Sequence, residues 1–163
     1  MNSRLRSIAI IAGVVILDRI TKLYIQHNLS PWDTKPVIAG FFNIVHAENP
    51  GAAFGFLSES HSEWRSLFLV GVSLAVMAII GTMLFRQSVK KSTMLEIALA
   101  LVFGGAAGNM YDRLFRGTVT DFLQVFFGTY EFPSFNAADS AITIGACFLL
   151  LDLWKNRSES KMN

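Results

Sequence analysis

The stretch from Ser66 to Phe85, SLFLVGVSLAVMAIIGTMLF, contains no charged side chain. A helix of about 20 mainly apolar residues matches the hydrocarbon thickness of a bilayer, so this run is read as a membrane-spanning helix. Windows of similar character lie near 7–26, 94–114 and 135–154. The expected fold is therefore an all-α membrane protein with four transmembrane helices, forming a single domain over residues 1–163. Composition agrees, since 52% of the residues are hydrophobic and 16% are charged, against about 25% charged in an ordinary soluble domain. The net charge of +2 argues against nucleic acid as a partner. The lone cysteine, Cys147, excludes an intrachain disulfide and a cysteine-built metal cage, and is read as a small core residue.

The first window resembles a secretory leader, because Arg4 and Arg6 precede the apolar run from Ile8 to Leu17. The run continues through Asp18, Arg19 and Lys22 without a small-x-small cleavage site, so it reads as a retained anchor. Orientation follows from the basic residues. Arg4, Arg6, Arg86, Lys90, Lys91, Lys155, Arg157 and Lys161, eight of the fourteen Lys and Arg, fall on one side of the expected helices. That side is assigned to the cytoplasm, with both termini on it. Two external segments result, 27–65 and 115–134. Trp32, Trp64 and Trp154 fall near helix boundaries, where amphipathic rings are favoured. The first external segment contains VIAGFFNIVHA, rich in β-branched and aromatic residues and flanked by Pro31, Pro36, Gly40, Pro50 and Gly51. It predicts a small external β element between helices 1 and 2.

Charges inside apolar helices are expensive and normally face a bundle interior. With the helices alternating in direction, Asp18 and Lys22 of the first, Asn109, Asp112 and Arg113 of the third, and Asn136 and Asp139 of the fourth all fall in the outer half of the membrane. Each has a structural reading. Asp18 and Lys22, spaced i, i+4, can pair on one helix face, and Asn109, Asp112 and Arg113 share a face through i, i+3 and i, i+4 spacing. GGAAG, Gly104 to Gly108, is read as a close helix-packing stripe. Glu96 and Asp152, near cytoplasmic ends, are read as snorkelling to the headgroups.

Asp121 and Asp139 remain without an evident partner. Brought together in a partly dry site they would share one proton, the arrangement with which an aspartic protease activates water and protonates a peptide carbonyl oxygen. The same residues, with Asp18, suit a proton- or ion-coupled transporter, and a structural subunit locked by polar contacts is a third alternative. A Ser140–Lys22 nucleophile pair is disfavoured because Asp18 would hold the lysine charged. His46, His61, Glu48 and Glu63 lack metal-site spacing and are read as surface residues. No phosphate-binding loop is present, and no metal or cofactor is expected.

Five motifs, LDRITK (Leu17–Lys22), ENPGAAFG (Glu48–Gly55), GGAAGNMYDR (Gly104–Arg113), GTVTDF (Gly117–Phe122) and FPSFNAADS (Phe132–Ser140), together resemble bacterial lipoprotein signal peptidase, signal peptidase II. They occur in that family's order over nearly the whole chain. The resemblance implies an aspartic endopeptidase of the bacterial inner membrane, acting at its outer face on prolipoproteins that carry a diacylglyceryl group. It places the catalytic aspartates on Asp121 and Asp139. It assigns site-shaping and substrate-holding positions to Asp18, Lys22, Asn49, Gly51, Asn109, Asp112, Arg113, Asn136 and Ala138. Expected partners are the prolipoprotein and membrane lipid, with the enzyme monomeric. One position departs from the pattern: Thr120 stands where a second Val often precedes the first catalytic aspartate.

Overall fold

The computed structural model describes residues 2–51, 62–85 and 92–162. In chain order the elements are α1 (Ser3–Asn28), β1 (Thr34–Ile38), β2 (Phe42–Asn49), α2 (Ser62–Phe85), α3 (Thr93–Arg116), β3 (Val119–Phe127), β4 (Tyr130–Phe135) and α4 (Ala137–Met162). Ala52 to Gly55 of the ENPGAAFG motif, His61, Arg86, Lys90 and Lys91 lie outside the described residues, as do the side chains of Glu63, Trp64 and Lys161.

Local sequence sets the helix limits. Asn2 caps α1 by accepting from the Arg4 N–H, and Ser92 caps α3 by accepting from the Leu95 N–H at 3.2 Å. Both occupy the orphan donors of a first turn. α3 ends at Gly117, whose φ of 76° lies in the left-handed region that glycine enters without strain. α4 begins with a reciprocal cap. The Asp139 N–H donates to Asn136 Oδ1 at 2.9 Å, and the Asn136 N–H donates to Asp139 Oδ2 at 3.2 Å.

α3 is the hub, packing against α1, α2 and α4. The GGAAG stripe permits this approach. A Cβ on Gly108 would lie 2.6 Å from Asp18 Oδ2, and one on Gly105 would overlap the Ala138 carbonyl oxygen. The burial pattern is inverted relative to a water-soluble bundle. The largest fully buried side chains are Lys22, Glu96, Asn136, Thr120, Asp18 and Asp112, while Ile8, Ile16, Ile20, Leu74, Ile79 and Leu150 are exposed. Apolar surface turned outward and paired polar groups turned inward suit a hydrocarbon solvent.

The expectation of an all-α protein with four spans is overturned. Four antiparallel strands form one sheet in the order β1-β2-β3-β4. The sheet is not confined to the connection between α1 and α2: half of it comes from the chain between α3 and α4. Among the described residues, three helices are long and apolar enough to cross a membrane, in Leu67–Leu84, Thr93–Arg116 and Ala137–Arg157. α1 is not one of them, because any stretch of 18 residues within it includes Asp18 and Arg19 with at least one further charge. Its charges instead serve α3.

Glu96 and Asp152 also differ from expectation. Both are buried rather than reaching outward. Glu96 receives Arg6 Nη2 at 2.5 Å and Ser7 Oγ at 2.8 Å, and Asp152 receives Ser92 Oγ at 2.5 Å. These contacts gather the N-terminal ends of α1 and α3 and the C-terminal half of α4 at one end of the bundle. The sheet lies at the other end. Cys147 is exposed on α4, facing away from the helix contacts rather than filling a core position.

Candidate active site

The site is assembled from five segments at the sheet end of the helices. On α1, Asp18 and Lys22 lie one turn apart, and Lys22 Nζ reaches Asp18 Oδ2 at 2.8 Å. The same ammonium lies 2.7 Å from Asp112 Oδ2 of α3 and donates to Asn109 Oδ1 at 3.0 Å. Arg19 supplies the second cation, with Nη1 2.7 Å from Asp112 Oδ1. Its guanidinium is 4.5 Å from the centroid of the Tyr111 ring. Two carboxylates thus meet two cations, so the buried cluster is balanced without calling on either remaining aspartate. Asp18 Oδ1 also accepts the Ala138 N–H at 3.1 Å, fastening α1 to the first turn of α4.

The network continues from this cluster to the aspartates through two amides. With its oxygen held by Lys22, Asn109 turns its Nδ2 toward Asp139 Oδ1 at 2.7 Å. Asn136 donates to Asp121 Oδ1 at 2.7 Å and to Asn109 Oδ1 at 3.2 Å. A third amide, Asn49, donates to Asp121 Oδ2 at 2.9 Å while its oxygen accepts the Gly51 N–H at 2.9 Å. Each amide has its oxygen occupied by a donor, so none can flip without losing that bond. Arg113 Nη2 donates to the Gly51 carbonyl at 2.8 Å, and its buried Nε has no hydrogen-bond partner among the described residues.

Asp121 and Asp139 both line a cavity of 680 Å³. Asn49, Asn109 and Arg113 share the polar wall, and Phe132, Phe135, Ile142 and Ile144 form much of the rest. Burial, followed by the charge of neighbouring Asp139, pushes Asp121 from 3.8 up to about 7, against the opposing pull of Asn49, Asn136 and Lys22. A carboxyl that keeps its proton near neutral pH beside a second carboxylate is equipped for general acid–base chemistry.

Every residue that the sequence singles out for this site is found around it. Asp18, Lys22 and Asp112 form the buried support, Asn109, Asn136 and Asn49 connect to the two aspartates, and Gly51, Arg113 and Ala138 complete the frame. Arg19 was missed, although an additional charge in an apolar helix requires a counter-charge. His46 and Glu48 are not surface residues. His46 is 4% exposed, and Glu48 bonds the reverse face of the sheet through Thr118 and Thr120. Alternation along β2 carried the signal, because Ala47 and Asn49 on the cavity face oblige Glu48 to take the other.

A profile described as Signal peptidase (SPase) II matches residues 10–155. The lipoprotein signal peptidase of Solibacter usitatus is 43% identical over 158 residues, covering 96% of this chain and 95% of the relative. That of Syntrophus aciditrophicus is 44% identical over 151 residues, covering 92% and 93%. That of Geobacter metallireducens is 38% identical over the full length of both chains. Two solved structures of bacterial membrane enzymes share the fold. One has a TM-score of 0.84 at 33% identity, covering 94% of this chain and 90% of its own, and the other a TM-score of 0.81 at 30% identity, covering 91% and 92%. With a family match over most of its length and a polar site built into an apolar bundle, the chain belongs to the lipoprotein signal peptidases, membrane hydrolases that remove signal peptides from prolipoproteins.

Proposed function

We propose that the chain is an aspartic endopeptidase that cuts diacylglyceryl-modified prolipoproteins at the outer face of the bacterial cytoplasmic membrane, acting as a monomer, with Asp121 and Asp139 as its catalytic pair. The observation that carries this reading is that both carboxylates line one cavity and are bridged by Asn136. In the proposed reaction, water between the carboxyls attacks the scissile carbonyl carbon and gives its proton to Asp139. The proton held on Asp121 passes to the carbonyl oxygen. Collapse of the gem-diol intermediate breaks the C–N bond: one hydroxyl returns its proton to Asp121 as the carbonyl re-forms, and Asp139 gives the proton it took from water to the leaving nitrogen, so the pair again holds one proton for the next water.

The surroundings suit this substrate. Phe132, Phe135, Ile142 and Ile144 offer an apolar wall to acyl chains beside the polar wall that would hold the peptide. Arg113 lines that region and is assigned to substrate backbone or headgroup oxygen. The cavity lies at the end opposite Arg6 and Lys155, which supports placing it on the outer side.

Cleavage of a purified diacylglyceryl prolipoprotein tests the proposal. Asp121→Asn and Asp139→Asn are each expected to lose about 10² to 10⁴-fold in kcat, the range for removing a general acid or base. Retention of near wild-type cleavage by both folded variants would refute the pair. Arg113→Ala is expected to weaken binding and cleavage together, and normal values for both would remove it from the substrate contacts.

A further inference from the structure

The sheet carries a second polar cluster on the face turned away from the cavity. Side chains alternate along strands, so Ala47, Asn49, Val119 and Asp121 line the cavity while Glu48, Thr118 and Thr120 point the other way. Glu48 Oε2 accepts from Thr118 Oγ1 at 2.5 Å. Its Oε1 accepts from Thr120 Oγ1 at 3.1 Å, from His46 Nε2 at 2.9 Å and from Arg116 Nη2 at 3.4 Å. Gln26 of α1 donates to Thr120 Oγ1 at 2.7 Å, and His46 Nδ1 meets the Leu29 carbonyl at 2.9 Å. Burial disfavours charge on Glu48, yet the bonds from Thr118, His46 and Thr120 and the charge on Arg116 outweigh it and hold Glu48 below the ordinary carboxylate range.

This cluster sits where the pairing of β2 with β3 changes. Ile44 faces Leu123, but Ala47 faces Asp121, so the register advances by one residue across a bulge containing Val45 and His46. Had the register at Ile44 continued, His46 would stand opposite Asp121. A slip of one residue exchanges the two faces of a strand. Asn49 would then lose its place beside Asp121. Glu48 can reach both Thr118 and Thr120 only in the shifted register, and His46 ties the bulge itself to the end of α1.

We infer that Glu48 is a positioning residue, which locks the β2–β3 register from the reverse face and so fixes the aim of Asp121 and Asn49 in the cavity. This inference rests on the reading of Asp121 as catalytic. Thr120, the position that departs from the family pattern, is its cross-strand partner and gives the lock its connection to α1.

The test compares Glu48→Ala, Glu48→Gln, Thr120→Val and Asp121→Asn in the full-length enzyme, using a diacylglyceryl prolipoprotein substrate across pH. Glu48→Ala is expected to lower kcat about ten-fold or more, since small misplacements near the chemistry are costly, with KM within about two-fold. Its alkaline midpoint is expected to fall below that of wild type, because a loosened strand admits water to Asp121. Glu48→Gln keeps an oxygen for the hydroxyl donors and is expected to recover most of kcat. Thr120→Val, which conserves shape, is expected to give a smaller loss with the same direction of midpoint shift, and it decides the matter if Glu48→Ala does not fold. A folded Glu48→Ala or Thr120→Val enzyme with an unmoved alkaline midpoint, at any kcat, overturns the inference. If Asp121→Asn still cleaves, the catalytic reading fails instead. An inactive Asp121→Asn beside unaffected Glu48 and Thr120 variants sinks the positioning role alone.

Discussion

Asn136 donates its side-chain amide to Asp121 at 2.7 Å while its backbone N–H donates to Asp139 at 3.2 Å. One residue at the junction of β4 and α4 therefore sets the mutual orientation of the two carboxyls. Asn136→Ala removes the bridge to Asp121 and the cap of α4. It is expected to lower kcat by about 10²-fold, the scale of a small misplacement of catalytic groups. It should cost about 1 kcal/mol of stability as a lost helix cap. Single-turnover cleavage beside thermal unfolding in detergent separates the two effects.

The raised pKa of Asp121 predicts how both activity and stability depend on pH. With Asp121 near 7, the proposed shared proton leaves as pH rises through about that value, and kcat should fall on this alkaline limb. For stability, the folded state binds a proton that the unfolded state has released between 3.8 and about 7. The contribution of Asp121 is therefore fully present below 3.8 and is lost as pH rises to about 7. Relative to wild type, Asp121→Asn should become progressively more stable across that window, by up to about 4 kcal/mol at about 1.4 kcal/mol per unit. Unfolding midpoints of the two proteins at pH 4 and pH 8 check the sign; a constant difference would contradict it.

Lys22 is the common cation of Asp18 and Asp112, all three fully buried. Lys22→Met leaves the two carboxylates with Arg19 alone and is expected to destabilise by about 3–5 kcal/mol, the usual result of removing one partner from a buried charge cluster. Adding Asp18→Asn should restore part of this, because the amide oxygen can still accept the Ala138 N–H. Loss of helical signal with temperature in the single and double variants measures both.

The Cβ of an alanine at position 108 would meet Asp18 Oδ2 at 2.6 Å. Gly108→Ala is expected to cost about 1–3 kcal/mol, as overpacking does, and to depress cleavage because Asp18 holds the first turn of α4. The same substitution at Gly71, where the surroundings are open, should leave cleavage unchanged and so serves as the control.

The helices were legible from apolar runs because lipid-facing sequence is nearly continuous. Polar convergence was legible because each charge in such a run needs a partner. The status of α1 was not, since its apolar residues suggest a span while its charges answer to α3, a relation only packing reveals. β3 and β4 were obscured for a different reason. Val119–Phe127 has strand composition, but its partner β2 lies beyond two helices, so no local hairpin signal announces the central pairing. Glu48 looked like a solvated charge because the residues that satisfy it, Thr118, Thr120 and Arg116, come from that same remote segment.

The seam between β2 and β3 joins hairpins separated in the chain by α2 and α3, and Asp139 arrives only with α4. Non-local pairings form late because the intervening chain must first be closed. A ribosome-bound chain that lacks its final helix has Asp121 but not Asp139, so with the catalytic pair proposed above, proteolytic competence is withheld until synthesis is nearly complete. The order of residues thus acts as a timer, keeping a nascent protease silent during its own insertion among the signal sequences it will later cut.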